Sequence, residues 1–560
     1  MYYLDEYKRW CMCALDDTDV VNELKQMDGD EEKIEEVFYR DLTFGTGGLR
    51  GIIGAGTNRM NVYTVAKASQ GIANYLVSHF QSPSVIIGYD SRLKSDVFAK
   101  IAASVFAANG IRVYIWQNLT PVPMVSYAIR YLRASAGVMI TASHNPSKYN
   151  GYKVYGSDGC QITTEAAKIL LGEIEQIDIF TDVKRGSFDT YMSEQMISYI
   201  SHNVFDAYVK EVKQQSVLYG EEVDKNVSIV YSPLNGTGRI PVFRTLKELG
   251  YSNILIVKEQ EMPDGNFPTC PYPNPEIKEA MTLGVEYAKK YKADLLLATD
   301  PDCDRVGIAV KAENGEYVLL SGNETGALLL DFICSQRVKH GKMPDEPVMI
   351  KTIVTTEMGE RIASDYGVKT INVLTGFKYI GEQIGLLESE GKSDSFIFGF
   401  EESFGYLSGG YVRDKDGVNA ACLICDMYSY YATKGISLLE KLRELSERYG
   451  YCLNSLYSYE FEGVNGSAKM DGIMRRFRGG VKSFGGKKVL NTLDYSIGID
   501  GLPKSDVIKY LLEGGSSVVV RPSGTEPKLK VYISASAASK NEAAEYEKKI
   551  ADEVSAFLSL

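Results

Sequence analysis

The sequence predicts an α/β protein with three similar mixed α/β domains and a smaller C-terminal α+β domain. Its 560 residues are more than one hydrophobic core usually supports, so several domains are expected. Short β-branched runs alternate with amphipathic helical patterns, which is typical of α/β folds. This alternation begins three times along the chain, and the C-terminal part follows a different pattern.

The three repeats are defined by apolar runs that are followed by a helical pattern or a turn. In the first repeat a helix is expected at residues 95–109, and Gly110 ends it. A further helix is expected ahead of this repeat, at residues 31–40. Strands are expected in the three repeats at residues 85–89, 111–116, 136–141, 227–231, 254–257, 295–299, 348–354, 371–374 and 396–400.

The C-terminal part has a simpler pattern. Two strand patterns, at residues 517–520 and 529–534, flank a turn-rich loop, and a helix is expected at residues 540–558. Strands grouped together and followed by a helix indicate an α+β domain. We therefore predict four domains, at residues 1–200, 201–317, 318–452 and 453–560.

The composition is that of an ordinary folded chain, because 44% hydrophobic and 24% charged residues are unlike a disordered protein. The net charge of −12 argues against a nucleic-acid-binding protein, although a local basic cleft can still bind a phosphorylated small molecule. No signal-peptide pattern opens the chain, and no apolar stretch approaches the roughly 18 residues of a membrane span. We expect a cytoplasmic protein without membrane or nucleic-acid partners.

The nine cysteines lack the dense regular spacing of a disulfide-stabilised secreted protein, so reduced thiols are expected. Cys422 and Cys425 form a C-x-x-C pattern inside an apolar run at residues 420–427. This run is typical of a buried helix. Core packing is favoured over a metal or redox site, because no second C-x-x-C is present.

Residues 141–146 read Thr-Ala-Ser-His-Asn-Pro and follow a predicted strand. Pro146 cannot extend the strand and restrains Asn145, so the chain must turn here. Turns at the carboxyl ends of strands are where open α/β sheets bind ligands, and a phosphorylated Ser143 would be a stored phosphoryl donor. The alternative is an ordinary Asn-Pro turn with a capping serine.

Residues 300–305 read Asp-Pro-Asp-Cys-Asp-Arg directly after another predicted strand. Asp300, Asp302 and Asp304 would repel each other unless a cation neutralised them. Oxygen ligands select Mg²⁺, Mn²⁺ or Ca²⁺, and three protein ligands leave a position for a phosphoryl oxygen. Arg305 would oppose the remaining phosphate charge. The competing interpretation is a solvated acidic loop.

Two further loops carry groups that suit a sugar phosphate. Residues 399–403 read Gly-Phe-Glu-Glu-Ser, where Glu401 and Ser403 are expected either to bond to sugar hydroxyls or to remain solvated. Residues 521–528 read Arg-Pro-Ser-Gly-Thr-Glu-Pro-Lys, and this density of donors indicates a phosphate-binding nest. A surface hairpin loop is the alternative for this last segment.

Four other polar side chains are candidates for catalysis. His144 is adjacent to Ser143 and is either a base or a residue that orients the loop. Lys378 precedes a helical segment and is either a partly desolvated proton carrier or a surface lysine. Lys153 is expected to add positive charge near Ser143. Arg50 lies in a glycine-rich stretch and is expected to reach a phosphate, unless the glycines serve only tight packing.

Taken together, these stretches resemble the α-D-phosphohexomutases. Four motifs occur in the order of that family: T-A-S-H-N-P, D-P-D-x-D-R, G-x-E-E-S and R-x-S-G-T-E. The chain length and the stretches at residues 44–51 and 271–276 resemble the phosphoglucomutase and phosphopentomutase branch. Phe404 departs from the shorter phosphomannomutase-type members, which more often carry glycine at that position.

The resemblance implies four domains around a central cleft, with one loop from each domain. Ser143 would be the phosphoserine, and Mg²⁺ would be held by a phosphoserine oxygen and by Asp300, Asp302 and Asp304. Glu401 and Ser403 would read sugar hydroxyls, Arg305 would offset phosphate charge, and Lys378 would take part in proton transfer. The substrate phosphate that is not reacting would be bound by Arg521, Ser523, Gly524, Thr525 and Lys528.

The resemblance also implies an isomerase-class phosphotransferase. The expected reaction interconverts glucose 1-phosphate and glucose 6-phosphate through the phosphoserine and a bound glucose 1,6-bisphosphate, which is also the expected activator. Pentose and mannose phosphates are alternative substrates. A non-catalytic sugar-phosphate-binding protein and a metal-dependent phosphatase are alternatives of other classes. The sequence leaves the oligomeric state open between monomer and dimer.

Overall fold

The computed structural model describes residues 2–45, 47–461, 466–499, 501–522 and 528–559. These residues form four successive β-sheets with helices packed against them, so the predicted fold class is confirmed. The domain boundaries given above stay a prediction. None of the helices in the described ranges has the length and apolar character that crossing a membrane requires.

The first sheet has six strands, and most of its helices pack on its two faces. Its elements are α1 (Tyr2–Cys13), α2 (Thr18–Gln26), α3 (Glu31–Phe38), β1 (Gly48–Ile52), α4 (Val62–His79), β2 (Ser84–Tyr89), α5 (Ser95–Ala108), β3 (Arg112–Ile115), α6 (Val122–Leu132), β4 (Ala136–Ile140), β5 (Tyr149–Gly156), α7 (Thr164–Glu175), α8 (Phe188–Ser193) and β6 (Ile197–Tyr199). The strand order is β1-β5-β4-β2-β3-β6. Strand β2 is parallel to β3 and β4, whereas β5 runs antiparallel beside β4.

The second sheet has five strands and repeats this arrangement. Its elements are α9 (His202–Gln214), β7 (Ile229–Ser232), α10 (Arg239–Glu248), β8 (Ile254–Ile256), α11 (Lys258–Glu261), α12 (Lys278–Tyr291), β9 (Leu295–Thr299), β10 (Val306–Lys311) and β11 (Tyr317–Leu320). The order is β11-β10-β9-β7-β8. Strand β7 is parallel to β8 and β9, and β10 runs antiparallel beside β9.

The third sheet has four strands and the same core arrangement. Its elements are α13 (Gly322–Lys339), β12 (Val348–Thr352), α14 (Met358–Asp365), β13 (Lys369–Val373), α15 (Phe377–Ser389), β14 (Phe396–Glu401), β15 (Gly405–Leu407), α16 (Gly417–Thr433) and α17 (Leu438–Tyr449). The order is β13-β12-β14-β15, with β15 antiparallel to β14. All three sheets therefore contain three parallel strands followed by one antiparallel strand.

The fourth sheet differs, as the sequence predicts, because its strands pair in antiparallel fashion. Its elements are β16 (Tyr451–Glu460), α18 (Gly466–Arg478), β17 (Ser483–Phe484), β18 (Lys487–Asp494), β19 (Ile508–Leu512), β20 (Ser517–Pro522), β21 (Lys528–Ala537) and α19 (Lys540–Ser559). The order is β16-β21-β20-β19-β18-β17. The expected helix at residues 540–558 is present as α19.

The hydrophobic core is divided unequally between these sheets. One large cluster runs through all three α/β units and includes the buried thiols of Cys422 and Cys425 on α16, so their predicted role in core packing is confirmed. The fourth sheet and its two helices enclose a separate cluster of their own. Only a few of its side chains, among them Tyr495 and Tyr532, join the large core.

Polar contacts connect the fourth sheet to the third unit. The guanidinium of Arg361 on α14 donates to the carbonyl oxygens of Tyr449, at 2.7 Å, and Gly515, at 3.1 Å. The buried Lys509 on β19 pairs with Glu357 at 2.7 Å. A single chain crossing next to Gly450, a few apolar side chains and these polar groups therefore form the connection.

Candidate active site

The same structural position in each of the three α/β units carries one of the predicted loops. Ser143 lies between β4 and β5, Asp300 to Asp304 lie between β9 and β10, and Glu401 to Ser403 begin at the end of β14, ahead of β15. Each loop thus leaves the carboxyl end of the third parallel strand and returns antiparallel. Ligand sites of open α/β sheets occur at this edge. Contacts between loops show that the units present these edges to one another.

Ser143 is held in a buried, left-handed turn. Its φ angle is 52°, a conformation that non-glycine residues adopt mainly where the surroundings impose it. The Ser143 N–H donates to Thr141 Oγ1 at 2.8 Å. The hydroxyl is thereby directed across the domain boundary, where Oγ donates to Asp300 Oδ2 at 2.9 Å. The interpretation of residues 141–146 as a loop facing a ligand site thus agrees with the geometry.

Asp300, Asp302 and Asp304 form a buried acidic triad. One carboxylate oxygen from each lies within 4.8 Å of the other two, and all three residues are at most 1% exposed. The alternative of a solvated loop is therefore wrong. Burial and repulsion from Asp302 and Asp304 raise the pKa of Asp300 well above its ordinary value. In the described part of the chain, Asp302 Oδ1 and Asp304 Oδ1 have no hydrogen-bond partner, which fits a hard divalent cation.

Positive side chains surround this triad. Lys153 Nζ lies 2.8 Å from Asp302 Oδ2, and Lys415 Nζ lies 3.2 Å from Asp304 Oδ2. Burial raises the pKa of Asp304, but Lys415 and Lys153 outweigh this effect and hold it below the ordinary value. Arg305 is within 4.0 Å of Asp300 and pairs with Glu276. The site therefore balances a dense negative charge with cations from three units.

His144 lies beside Ser143, and Arg50 reaches Asn145 of the same loop. His144 Nδ1 is 3.0 Å from Ser143 Oγ. Burial and the nearby Arg305 lower the pKa of His144 well below its ordinary value, so the ring is neutral in this site. The exposed Arg50 donates to Asn145 Oδ1 at 3.2 Å, which places a cation at the mouth of the loop.

The loop of the third unit brings Glu401 and Ser403 to the same region. Glu401 is 5% exposed and accepts a hydrogen bond from the Gly376 N–H at 3.1 Å, so it is not simply solvated. Burial raises its pKa to about 7, although Lys415 opposes this shift. Ser403 is half-buried in the following turn. The Val306 N–H donates to the Phe404 carbonyl at 3.0 Å, which joins this loop to the acidic triad.

Lys378 is buried in the first turn of α15 rather than on the surface. Burial lowers its pKa to about 8, with smaller opposing effects from Cys160 and Glu382. An amine with a pKa near neutrality can exchange protons with a substrate, as the sequence-based hypothesis requires. The alternative of a surface lysine is wrong.

The lowered pKa of Lys378 predicts a pH-dependent cost in stability. Between about pH 8 and its ordinary value of 10.5, the unfolded chain binds more protons than the folded chain. The free energy of unfolding therefore rises with pH across this window. We expect Lys378→Met to have a higher Tm than the wild type below about pH 8, and this difference to vanish as the pH approaches 10.5.

Differential scanning calorimetry across this pH range measures the effect. Lys292→Met is the control, since Lys292 is an exposed cap residue at the end of α12. A constant Tm difference between wild type and Lys378→Met at every pH would contradict the assignment of the lowered pKa.

The fourth unit contributes Arg521, at the end of β20 and half-buried. Its charge, together with those of Glu402 and Glu401, influences the Tyr532 hydroxyl, whose pKa is raised mainly by burial. Charges act on a hydroxyl in this way only when they are near it, so β20 and β21 lie close to the loop of the third unit. Lys528 pairs with Glu460 at 3.0 Å. Ser523, Gly524 and Thr525, the other expected phosphate ligands, lie outside the described residues.

Three charged residues of the site were missed by the sequence interpretation. Lys415 follows β15 in the run Arg-Asp-Lys-Asp, and Glu276 ends the Pro-Tyr-Pro-Asn-Pro-Glu stretch. Arg92 follows β2 in Asp-Ser-Arg and donates to backbone carbonyls of the Ser143 loop. A charged residue just after a parallel strand of the repeat was the available signal for Arg92, since such positions share one sheet edge.

Comparisons with known proteins agree with this architecture. Four family models match in order: Phosphoglucomutase/phosphomannomutase alpha/beta/alpha domains I, II and III, and the C-terminal domain, at residues 41–179, 206–315, 321–449 and 470–553. The fold and these matches define the chain as an enzyme of the isomerase class, an intramolecular phosphotransferase. It belongs to the phosphoglucomutase/phosphomannomutase family.

Individual relatives lie in the same family. Phosphoglucomutase from Staphylococcus saprophyticus is 38% identical over 90% of this chain and 92% of its own length. Phosphoglucomutase from Staphylococcus haemolyticus is 36% identical over 89% and 91%. The solved structure of the Paramecium phosphoglucomutase parafusin, in an open form, is 19% identical and superposes with a TM-score of 0.69 over 93% of this chain and 95% of that one, which shows a common fold.

Proposed function

We propose that this enzyme interconverts glucose 1-phosphate and glucose 6-phosphate through a phosphoserine at Ser143. The observation that carries the proposal is the contact between Ser143 Oγ and Asp300, at 2.9 Å, inside a buried acidic triad. The Staphylococcus relatives, named phosphoglucomutase and matched over nearly their whole length, support glucose phosphates as the substrates.

In the proposed reaction, the free hydroxyl oxygen of a sugar monophosphate attacks the phosphoserine. A bond forms from this oxygen to phosphorus, and the bond from phosphorus to Ser143 Oγ breaks. The resulting glucose 1,6-bisphosphate turns end over end, and Ser143 Oγ takes back the other phosphoryl group. Oγ takes up a proton when it leaves phosphorus and gives one up in the return step, and Asp300 and His144 are the groups within reach for both transfers. We assign the proton of the sugar hydroxyl to Lys378, which has a pKa of about 8.

The charges around Ser143 suit phosphoryl transfer. The triad, with a phosphoserine oxygen, would hold Mg²⁺, which when bound supplies charge neutralisation for the transferring group. Lys153 and Arg305 add fixed positive charge beside the aspartates, and Arg50 adds it at the mouth of the loop. Donors that are already in place stabilise charge as it develops and require little reorganisation.

The far side of the cleft binds the rest of the substrate. We assign the sugar hydroxyls to Glu401 and Ser403, which lie one loop away from the triad. The phosphate that is not reacting is assigned to Arg521 with Ser523, Gly524, Thr525 and Lys528. A nest of generic phosphate donors accepts either end of the bisphosphate, which the reorientation requires.

Arg521→Ala tests the phosphate assignment. Because this phosphate is bound both before and during the transfer, its loss should raise KM and leave kcat nearly unchanged. A charge-assisted hydrogen bond contributes enough to raise KM by about 10- to 100-fold. Steady-state kinetics with glucose 1-phosphate measures both constants. Arg475→Ala, at an exposed arginine of the same domain, is the control. A large loss of kcat at constant KM would contradict the assignment.

The competing functions are separated by phosphorus NMR of the purified protein. The sample holds Mg²⁺, glucose 1-phosphate and a trace of glucose 1,6-bisphosphate. Growth of the glucose 6-phosphate signal without inorganic phosphate is expected. Steady release of inorganic phosphate would favour the phosphatase alternative. If only ribose or mannose phosphates are converted, one of them replaces glucose phosphate as the proposed substrate. If none of these sugar phosphates is converted, a non-catalytic binding protein is favoured.

We also propose that the enzyme acts in the cytoplasm. All nine cysteines are free thiols, and seven of them are buried or half-buried, as expected in a reducing compartment. The soluble sugar phosphates that it would use are consistent with the same location.

A further inference from the structure

Arg92 occupies the centre of the Ser143 loop, although it lies on a different segment. It follows β2 and is 3% exposed. One nitrogen, Nη2, donates to the carbonyls of Ser143, at 2.5 Å, and of Asn145. The other, Nη1, donates to Pro146 at 2.9 Å and Tyr149 at 3.1 Å. One guanidinium therefore donates hydrogen bonds to four backbone carbonyls, three in the loop and one at the start of β5.

Asp90 fixes the position of the Arg92 side chain. Its Nε lies 3.4 Å from Asp90 Oδ2. Asp90 Oδ1 accepts hydrogen bonds from the Arg92 N–H, at 3.0 Å, and from Ser95 Oγ, at 2.8 Å. The planar fork of an arginine can donate in several directions at once, whereas a lysine ammonium donates from a single point. The loop geometry thus depends on an arginine at this position.

The same side chain also reaches the second unit. Its guanidinium carbon lies 5.1 Å from the ring centre of Phe267, which is 1% exposed. Nearby, a Cβ on Gly265 would come within 2.5 Å of the Leu93 nitrogen, so the two backbones are in close contact. The segment that carries the Arg92 side chain is therefore packed directly on the unit that supplies the acidic triad.

We propose that Arg92 is the positioning residue that fixes Ser143 Oγ relative to the acidic triad. The inference rests on the proposed function, because it gives Ser143 its reactive geometry. By binding the Ser143 carbonyl, Arg92 stabilises the left-handed turn, and this turn directs Oγ toward Asp300. Through Phe267, the position of the loop is coupled to the second unit. Arg92 touches neither the sugar nor the reacting phosphoryl group in this assignment.

The test uses Arg92→Lys in the full-length enzyme. A displacement of about 1 Å at the reacting atoms costs about 100-fold in rate, and we expect kcat to fall by this amount. KM for glucose 1-phosphate should stay within about threefold, since sugar and distant phosphate are bound elsewhere. The single-turnover rate at which glucose 1,6-bisphosphate phosphorylates Ser143, followed by intact mass, should fall by the same factor. This single-turnover rate is calculated only over the molecules that become phosphorylated. A partly unfolded sample therefore does not lower it.

A matched control is available in the fourth unit. Arg476 also donates to a backbone carbonyl, that of Phe557, and its guanidinium lies 4.6 Å from an aromatic ring centre. Arg476→Lys should leave kcat and the single-turnover rate within about twofold of the wild type. Phe267→Leu, which removes the ring but keeps an apolar side chain, should lower the single-turnover rate about tenfold.

The outcomes separate the two proposals. A wild-type rate per site in Arg92→Lys would overturn the role of Arg92. If Arg92→Lys does not fold, a wild-type rate in Phe267→Leu would overturn it instead. A wild-type enzyme that glucose 1,6-bisphosphate does not phosphorylate at Ser143 would refute the proposed function itself.

Discussion

Ser143→Ala is expected to abolish the mutase reaction while the protein remains folded. The substitution removes the only atom of this residue that forms the bond to phosphorus, so no stored phosphoryl group can be returned to the sugar. Removal of a covalent nucleophile lowers kcat by about 10⁵-fold or more. The Ser143 hydroxyl donates a single hydrogen bond to Asp300, inside a triad whose carboxylates repel one another. Loss of this one bond should change Tm only slightly.

Ser104→Ala is the matched control for this experiment. Ser104 is a buried serine of the same unit, and its hydroxyl donates to the Lys100 carbonyl within α5. Both variants lose one buried hydroxyl, but only Ser143→Ala should lose turnover and the mass increase of phosphorylation. Turnover near the wild-type rate in Ser143→Ala would refute the phosphoserine assignment.

Asp302→Asn is expected to give the second-largest effect. The change removes one negative charge from a triad that has two carboxylate oxygens without hydrogen-bond partners in the described chain. Mg²⁺ affinity should fall, because hard cations prefer charged oxygen ligands. Neutralisation of phosphoryl charge by a metal is worth several kcal/mol, so kcat should fall by about 1,000-fold. Isothermal titration calorimetry with Mg²⁺ and kinetics over a range of Mg²⁺ concentrations measure the two effects.

A carboxylate away from the site provides the comparison. Asp331 on α13 is equally buried and also pairs with a lysine, Lys441, at 3.2 Å. Asp331→Asn therefore loses an ion pair of the same kind, yet its Mg²⁺ affinity should equal that of the wild type. An unchanged Mg²⁺ dependence in Asp302→Asn would exclude this residue from the metal site.

The sequence predicted much of the fold because local patterns and tertiary packing agree in the three repeats. Strands expected at residues 85–89, 136–141 and 295–299 match β2, β4 and β9 within about a residue or two, the usual uncertainty at element ends. Some observed element ends differ from the predicted ones. The strand expected from residue 227 begins at Ile229, and the helix expected to reach residue 40 ends at Phe38. Such ends depend on caps and contacts that local patterns do not contain.

The site was predictable where its residues are consecutive and not where it is assembled from distant segments. Asp300, Asp302 and Asp304 could be recognised because spacing alone brings carboxylates together. The ion pair of Lys415 with Asp304 joins residues from different sheets, and no local pattern contains it. The same reasoning applies to Lys528, whose pairing with Glu460 results from the register of β16 against β21.

The separate hydrophobic cluster of the fourth sheet makes this part of the enzyme a module that evolution and engineering can exchange. A segment that starts at β16 brings its own apolar interior. It joins the remainder through one chain crossing, a few apolar side chains such as Tyr532, and polar contacts such as Lys509 with Glu357. A chimera with the corresponding segment of a relative would need few compensating changes at this junction. Recombination of whole C-terminal segments can therefore change this part of the enzyme as one unit, in addition to point substitution.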